Sequence, residues 1–245
     1  LDDARRATLA KDSEALAAQG FRVLALAMRA HANREALPET LEQDLVYVGL
    51  VGMVDPLRDE VVRAVARCRS AGVRPVMITG DHPLIARYIG EQLGLEGSER
   101  FLTGQDLAQM DRATLEREVR EVSIYARVAP EHKLKIVDAL QKNGHVVAMT
   151  GDGVNDAPAL KEADIGVAMG ITGTDVSQEA ADMVLRDDNF ASIVAAVEEG
   201  RTILDNLLRF VRFILASNAA EVFAMLAAPL LRLPLPLLPA QILWM

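Results

Sequence analysis

Apolar positions along this chain fall into short strand-like runs separated by stretches with helical spacing, until the pattern changes near Arg209. Residues 8–19 carry Leu9, Leu16 and alanines on one side of a helix, and Gly20 supplies a stop. Residues 21–27 and 45–54 predict strands, with a polar loop holding Pro38 and Glu39 between them. Residues 58–70 predict a helix ended by Gly72. Residues 73–79 predict a strand, whose Pro75 suits an edge or a strand start. Helices follow over 83–93, stopped by Gly94, over 111–122, and over 131–142, stopped by Asn143-Gly144. The intervening strands are 124–128, 146–149, 165–168 and 183–184. Strands alternating with helices of roughly ten residues argue for an α/β fold, a parallel sheet covered on both faces.

The remainder reads differently. Asp188 or Asn189 can cap a helix that meets no proline from Ala191 until Pro229 and only one glycine, Gly200. At 1.5 Å per residue such a helix runs about 60 Å, too long for a small globular domain and suited to a stalk that enters a bilayer. From Phe210 onward only Arg212, Glu221 and Arg232 are charged, and residues 213–231 are long enough to cross a hydrocarbon core. Arg201, Arg209 and Arg212 precede this span and only Arg232 follows, which puts residues before about 210 on the cytosolic side. Pro234, Pro236 and Pro239 then predict an extracytoplasmic turn, and residues 241–245 the start of a second span. Asn218 and Glu221, three apart, share one helix face. A glutamate at membrane depth is costly and points to function; the plainer alternative is the polar face of a soluble amphipathic helix.

Composition narrows the classes. The 245 residues are 51% apolar and 25% charged, enough for a globular core without implying a wholly membrane-embedded chain. A net charge of −9 argues against a nucleic-acid partner. The single cysteine, Cys68, excludes an internal disulfide framework and suits a reducing compartment. Cys68 and the histidines His31, His82, His132 and His145 lack zinc-like spacing, and the histidines read as surface or loop residues. The start, Leu-Asp-Asp-Ala-Arg-Arg, has neither an apolar signal core nor an initiator methionine, which fits a piece of a longer protein.

The chemistry concentrates in Thr150-Gly151-Asp152-Gly153-Val154-Asn155-Asp156, at the end of the apolar run 145–149 and before the helical run 159–163. Ligands of open α/β sheets bind at this strand end. Glycines let the backbone approach a phosphate, and carboxylates there can hold Mg²⁺. A Gly/Asp turn that merely ends a strand is the bland alternative. Lys133 sits near a helix start, where the dipole disfavours it, unless a phosphate lies nearby.

The segment TGDGVNDAPAL resembles the Mg²⁺-binding segment of P-type ATPases, cation pumps with a haloacid-dehalogenase-like core. Three further motifs resemble the family's in the same order: Asp55-Pro56-Leu57-Arg58, Met77-Ile78-Thr79-Gly80-Asp81, and Ala126-Arg127-Val128-Ala129-Pro130-Glu131-His132-Lys133. The resemblance spans nearly the whole chain. It implies a Rossmannoid parallel sheet followed by a stalk and transmembrane helix, with 1–54 closing a nucleotide-binding domain, 55–189 forming most of the phosphorylation domain, and 190–245 the membrane part. It implies ATP and Mg²⁺ as cofactors. Asp152 would hold the metal, Asp156 would support the loop, and Asn155 would donate to a phosphate oxygen. Lys133 would stabilise the transferring phosphoryl group, and Thr79 and Gly80 would bind phosphate beside Asp81. Arg127 would contact nucleotide or organise Asp81. Arg22, in Gly-Phe-Arg-Val-Leu-Ala-Leu-Ala, resembles an ATP-contacting arginine; an exposed arginine on an amphipathic strand is the alternative.

Asn218-Ala219-Ala220-Glu221 matches the Asn-x-x-Glu that ligates the ion in the fifth membrane helix of Ca²⁺ pumps, although Ala220 stands where many have glycine. Residues 237–244 resemble the start of their sixth helix. The resemblance therefore implies Ca²⁺ as cargo, a lipid bilayer, and the remainder of the same pump as partners. The family's nucleophile motif, Asp-Lys-Thr-Gly-Thr, does not occur in these residues. The chain alone is thus expected to be inactive. The rival readings are a soluble haloacid-dehalogenase-like phosphatase, disfavoured because Asp2, Asp3 and Asp12 do not follow apolar strands, and a non-catalytic nucleotide-binding fragment.

Overall fold

The computed structural model describes residues 2–30 and 43–232. His31, the loop prolines from Pro38 to Pro239 that flank these limits (Pro38, Pro234, Pro236, Pro239) and the predicted second span lie outside the described residues. The chain divides into two compact units, residues 1–192 and 193–245.

The first unit opens with helix α1 (Asp3–Ala17), capped by Asp2, whose carboxylate accepts the Arg5 N–H at 2.8 Å. Gly20 (φ 86°) turns the chain, and the ring of Tyr88 occupies the space a side chain there would need. Strands β1 (Arg22–Met28) and β2 (Val46–Met53) pair antiparallel, from Arg22 opposite Met53 to Met28 opposite Val46, with a bulge at Leu26/Ala27. Leu24, Met28, Val46 and Val48 on this ribbon remain exposed.

The α/β expectation holds, with the parallel strands divided between two sheets. After α2 (Asp59–Ser70) come β3 (Met77–Ile78), α3 (Pro83–Gln92), β4 (Leu102–Thr103), α4 (Gly104–Gln109), α5 (Arg112–Glu118) and β5 (Ile124–Ala126). These strands form a parallel sheet of order β3-β5-β4. Then follow α6 (Pro130–Lys142), β6 (Ala148–Gly151), a 3-10 turn (Val154–Asp156), α7 (Ala157–Glu162), β7 (Ile165–Met169), α8 (Asp175–Ala180) and β8 (Met183–Leu185). Their strands form a second parallel sheet of order β6-β7-β8.

Helix α6 contributes to the cores of both sheets. Its Ile136, Ala139 and Leu140 join Leu102, Val119 and Tyr125 in one core, while its Val137 joins Met149, Ala159 and Leu160 in another. Ile78 of β3 and Val147, just before β6, pack against both clusters. Ile124, Tyr125 and Ile136 are fully buried, each contributing about 1.5–3 kcal/mol by its removal from water. Tyr125 keeps its hydroxyl satisfied on the Val122 carbonyl at 3.2 Å, and burial raises its pKa well above the ordinary phenol value.

Several elements are shorter than predicted. β3 begins only at Met77, where the N–H of Met77 meets the Ser123 carbonyl at 2.8 Å; Pro75 has no N–H to extend the ladder. α5 stops at Glu118, four residues early, because the Arg74 guanidinium reaches the carbonyls of Val119 and Arg120 and ends the helix with a side-chain cap. β6 begins at Ala148, because the Asp164 carboxylate takes the Val147 N–H at 2.8 Å. The short β4, α4 and α8 were not predicted. α4 carries a capping box, with Thr103 accepting from Asp106 N–H at 3.2 Å and Asp106 accepting from Thr103 N–H at 2.8 Å.

Helix α9 (Phe190–Leu230) starts in the first unit, where Phe190 packs beside Val65, Ala86 and Ile124 and Asn189 accepts the Ala191 N–H at 2.9 Å. It passes Gly200 unbroken and takes up Pro229 only in its last turn. It is long and apolar enough to cross a membrane.

Gly166, in the middle strand β7, has no room for a side chain, since an added methyl would stand 2.5 Å from the Leu160 carbonyl oxygen at the end of α7. Gly166→Ala is expected to destabilise the first unit by about 1–3 kcal/mol, read as a lower urea midpoint with an unchanged slope.

Candidate active site

Strand β6 delivers Gly151 and Asp152 to the C-terminal edge of its sheet, and the chain turns through Val154–Asp156 into α7, where Pro158 occupies the first turn. Asp156 is buried at 6% exposure. One of its oxygens pairs with the Lys133 ammonium, whose side chain is 19% exposed; the other accepts the N–H groups of Asp152 and Gly153, each at 3.3 Å. Lys133 comes from the first turn of α6, so this pair ties that helix to the strand-end loop. Gly151 must be glycine because the Asp156 Cβ lies 2.5 Å from where its own Cβ would be. The Asp152 carboxylate and the Asn155 amide are exposed and make no protein hydrogen bond among the described residues.

A second loop forms at the end of β3. The Thr79 N–H donates to the Tyr125 carbonyl at 2.9 Å, the Val128 N–H to the Thr79 carbonyl at 3.2 Å, and the Arg127 N–H to the Asp81 carbonyl at 3.1 Å. The Thr79 hydroxyl accepts the Asp81 N–H at 3.1 Å and donates to its carboxylate at 3.4 Å. Gly80 is exposed at the tip. The Arg22 guanidinium pairs with the Asp81 carboxylate at 2.5 Å. With side chains 65% and 39% exposed, that pair contributes only about 0–1 kcal/mol. Arg22, Asp81 and Arg127 line one cavity of about 220 Å³, together with Glu14, Phe21 and His82. Arg127 holds a left-handed backbone (φ 51°), and its carbonyl presses on Gly104, where a methyl group would collide. Its main chain thus positions Asp81 while its side chain faces the cavity.

The predicted residues therefore gather in two groups: Arg22, Thr79, Gly80, Asp81 and Arg127 at one strand end, and Lys133, Asp152, Asn155 and Asp156 at the other. Asn218 and Glu221 lie on α9 in the second unit, Asn218 exposed and Glu221 half-buried. The expectation for His132 is corrected. It is buried at 8% exposure, because its ring nitrogen Nδ1 turns back to accept the Ala129 N–H at 3.4 Å at the start of α6. His82 caps α3 through the Leu84 N–H at 3.3 Å, and His145 is exposed.

Sequence reasoning missed a supporting layer. Asp188 accepts the N–H groups of Gly170, Ile171 and Thr172 at 2.7, 3.0 and 2.7 Å, and these bonds, the Ile171 one foremost, hold its carboxyl below the usual range. From the loop it grips, the Thr174 N–H and the buried Ser177 hydroxyl reach the Asp152 carbonyl, at 2.9 and 3.0 Å. The spacing Thr174-Asp-Val-Ser177 reads as a helix cap, which was the available signal; its proximity to Asp152 was not legible.

A family profile described as haloacid dehalogenase-like hydrolase matches residues 3–164, and a second profile of the same description matches 132–197. The chain belongs to the haloacid dehalogenase-like hydrolases. Within that family its relatives are transport ATPases. It is 53% identical over 231 residues to the calcium-transporting ATPase of Bacillus subtilis, which covers 94% of this chain and 26% of that protein. It is 45% identical over 245 residues to calcium-transporting ATPase 1 of Bacillus cereus, covering 100% of this chain and 28% of that protein. It is 51% identical over 209 residues to the endoplasmic reticulum calcium ATPase srcA of Aspergillus fumigatus, covering 83% and 21%. The chain thus spans about a quarter of the length of these curated relatives. In this haloacid dehalogenase-like hydrolase, the acidic strand-end loop and the lysine facing it occupy one site.

The Lys133–Asp156 pair is shielded enough that cutting it leaves a buried charge alone. Lys133→Met is expected to lower stability by about 3–5 kcal/mol, whereas the double change Lys133→Met/Asp156→Leu recovers much of the loss. Chemical denaturation of the single and double variants measures the coupling.

Proposed function

We propose that this chain is the phosphorylation-domain core and fifth membrane helix of an ATP-driven Ca²⁺ pump of the P-type ATPase class. The observation that carries the reading is the clamped Gly151–Asp156 loop, in which Asp156 is spent on Lys133 and the backbone while the neighbouring Asp152 carboxylate is left uncommitted. The names of the relatives support the cargo.

No group of three or more acidic, histidine or cysteine side chains gathers as a metal site among the described residues. One free carboxylate suits Mg²⁺, a hard ion that keeps several waters and shares phosphate oxygens instead of needing an all-protein cage. Asp152 would hold it, and when bound the ion supplies charge neutralisation for phosphoryl transfer. Lys133 carries a positive charge into the same site, fixed in direction by Asp156. Asn155 would donate to a phosphate oxygen, and Thr79 and Gly80 would bind phosphate through hydroxyl and backbone N–H. The cavity of Arg22, Asp81 and Arg127 would take the nucleotide, its two guanidinium groups favouring an anionic ligand. The accepting aspartate comes from outside these residues, in the rest of the pump.

In this reading residues 1–54 close the nucleotide-binding domain, 55–189 form the phosphorylation domain, and 190–245 the stalk and membrane part. Residues before about 210 face the cytosol. Asn218 and Glu221 ligate the transported cation within the bilayer.

In the intact pump, Asp152→Asn removes one hard anionic ligand. Phosphoenzyme formation is expected to be lost or to need far more Mg²⁺; unchanged Mg²⁺ dependence excludes Asp152 from the metal site. A glutamate at membrane depth costs about 2.5–3.5 kcal/mol unless it is compensated, and a bound cation compensates it. Glu221→Gln is therefore expected to impair Ca²⁺-activated phosphorylation from ATP and to spare phosphorylation from inorganic phosphate. Wild-type affinity for Ca²⁺ and every other cation tried removes Glu221 from the transport site.

A further inference from the structure

We infer that Ser177 is a positioning residue for the Asp152 carboxylate, an inference that rests on the reading of Asp152 as the metal ligand. Ser177 is fully buried in the first turn of α8, an environment in which a hydroxyl is costly unless it is bonded. Its Oγ lies 3.0 Å from the Asp152 carbonyl and 2.8 Å from the Thr174 carbonyl, and it accepts from the Thr174 hydroxyl at 3.2 Å. Its one proton is therefore shared between two carbonyls, one of them belonging to the catalytic loop.

The consequence lies in which groups around Asp152 are held. Its carbonyl receives the Ser177 hydroxyl and the Thr174 N–H, the latter at 2.9 Å, so both lone pairs point into the α8 corner. Its own N–H and that of Gly153 point the other way, onto the Asp156 carboxylate. Because each peptide unit is planar, these bonds fix the planes on both sides of the Asp152 Cα, and with them its two backbone dihedrals. The carboxylate then has only its side-chain rotations left. Asp156 supplies one half of this grip and Ser177, with Thr174, the other.

The corner that carries Ser177 is itself anchored. The Gln178 amide donates to the carbonyls of Met169, Gly170 and Gly173 at 3.2, 3.3 and 3.1 Å, and Asp188 grips the N–H groups of the same loop. A hydroxyl on a loose turn would follow Asp152; on this corner it restrains it.

The test uses the full-length pump with Ser177→Ala. The Mg²⁺ concentration that half-saturates phosphorylation from inorganic phosphate is expected to rise about three- to tenfold, the range of one neutral hydrogen bond. In metal-free, phosphate-free pump, amide hydrogen exchange over residues 151–155 is expected to quicken by a similar factor, a readout independent of turnover. An unchanged Mg²⁺ half-saturation or unchanged exchange overturns the inference, and a lowered melting temperature alone assigns Ser177 a purely structural role. Asp152→Asn in the same phosphorylation assay separates the two ideas. If it leaves Mg²⁺ dependence intact, the metal-ligand reading fails and this inference with it; if it shifts the dependence while Ser177→Ala does not, only this inference falls. Should Ser177→Ala fail to accumulate, Ser177→Cys, similar in shape and a weak donor, is judged by the same outcomes.

Discussion

The ion pair of Lys133 and Asp156 is the interaction on which the site depends. A carboxylate 6% exposed at a strand end is stable as an anion only with a partner, and α6 brings the ammonium to it. That pairing has three effects at once. It fixes the first turn of α6 against the loop, it leaves the second Asp156 oxygen to gather the N–H groups of Asp152 and Gly153, and it keeps a positive charge beside an uncommitted carboxylate. The close approach that results is why Gly151 tolerates no side chain.

Helix α6 can serve this purpose because it packs into the cores of both parallel sheets. Its apolar residues Ile136, Val137, Ala139 and Leu140 join two cores, which anchors the helix that carries Lys133. The two strands that lead into Gly-Asp loops, β3 and β6, reach those shared cores through Ile78 and through Val147 just before β6. The geometry follows the general rule that open α/β sheets collect polar chemistry at the carboxyl ends of their strands. Bulky apolar side chains set the frame, and a few carboxylates set the loops upon it.

Those carboxylates work by accepting backbone N–H groups. Asp188 holds 170–172, Asp182 takes the Gly166 N–H at 2.8 Å, Asp164 takes Val147, and Asp156 takes the amides of Asp152 and Gly153. Charge-assisted bonds of this kind are short and directional, so loops without regular structure are still well placed. The acidic composition is thus partly architectural: several of the residues behind the net charge of −9 are tying turns to the edges of sheets.

The sequence by itself determined the class of fold, the position of most long elements and the neighbourhood of the chemistry. Helices 58–70, 83–93 and 131–142 carry clear periodicity and stop signals, and the 150–156 loop announces its own chemistry because glycines and acids have few other uses at a strand end. The long helix was equally legible, since no proline interrupts it before Pro229 and its second half is almost free of charge. Tertiary structure decided what propensity could not. Arg74, distant in sequence, ended α5, and Asp164 withheld Val147 from its strand. A backward-turned ring buried His132, and the parallel strands were split between two sheets. Above all, that Asp156 pairs with Lys133, and that Ser177 stands behind Asp152, are facts of contact between residues more than twenty positions apart. Local sequence encodes dihedral preference and hydrophobic face, whereas such contacts arise only when packing of the cores fixes where each turn arrives.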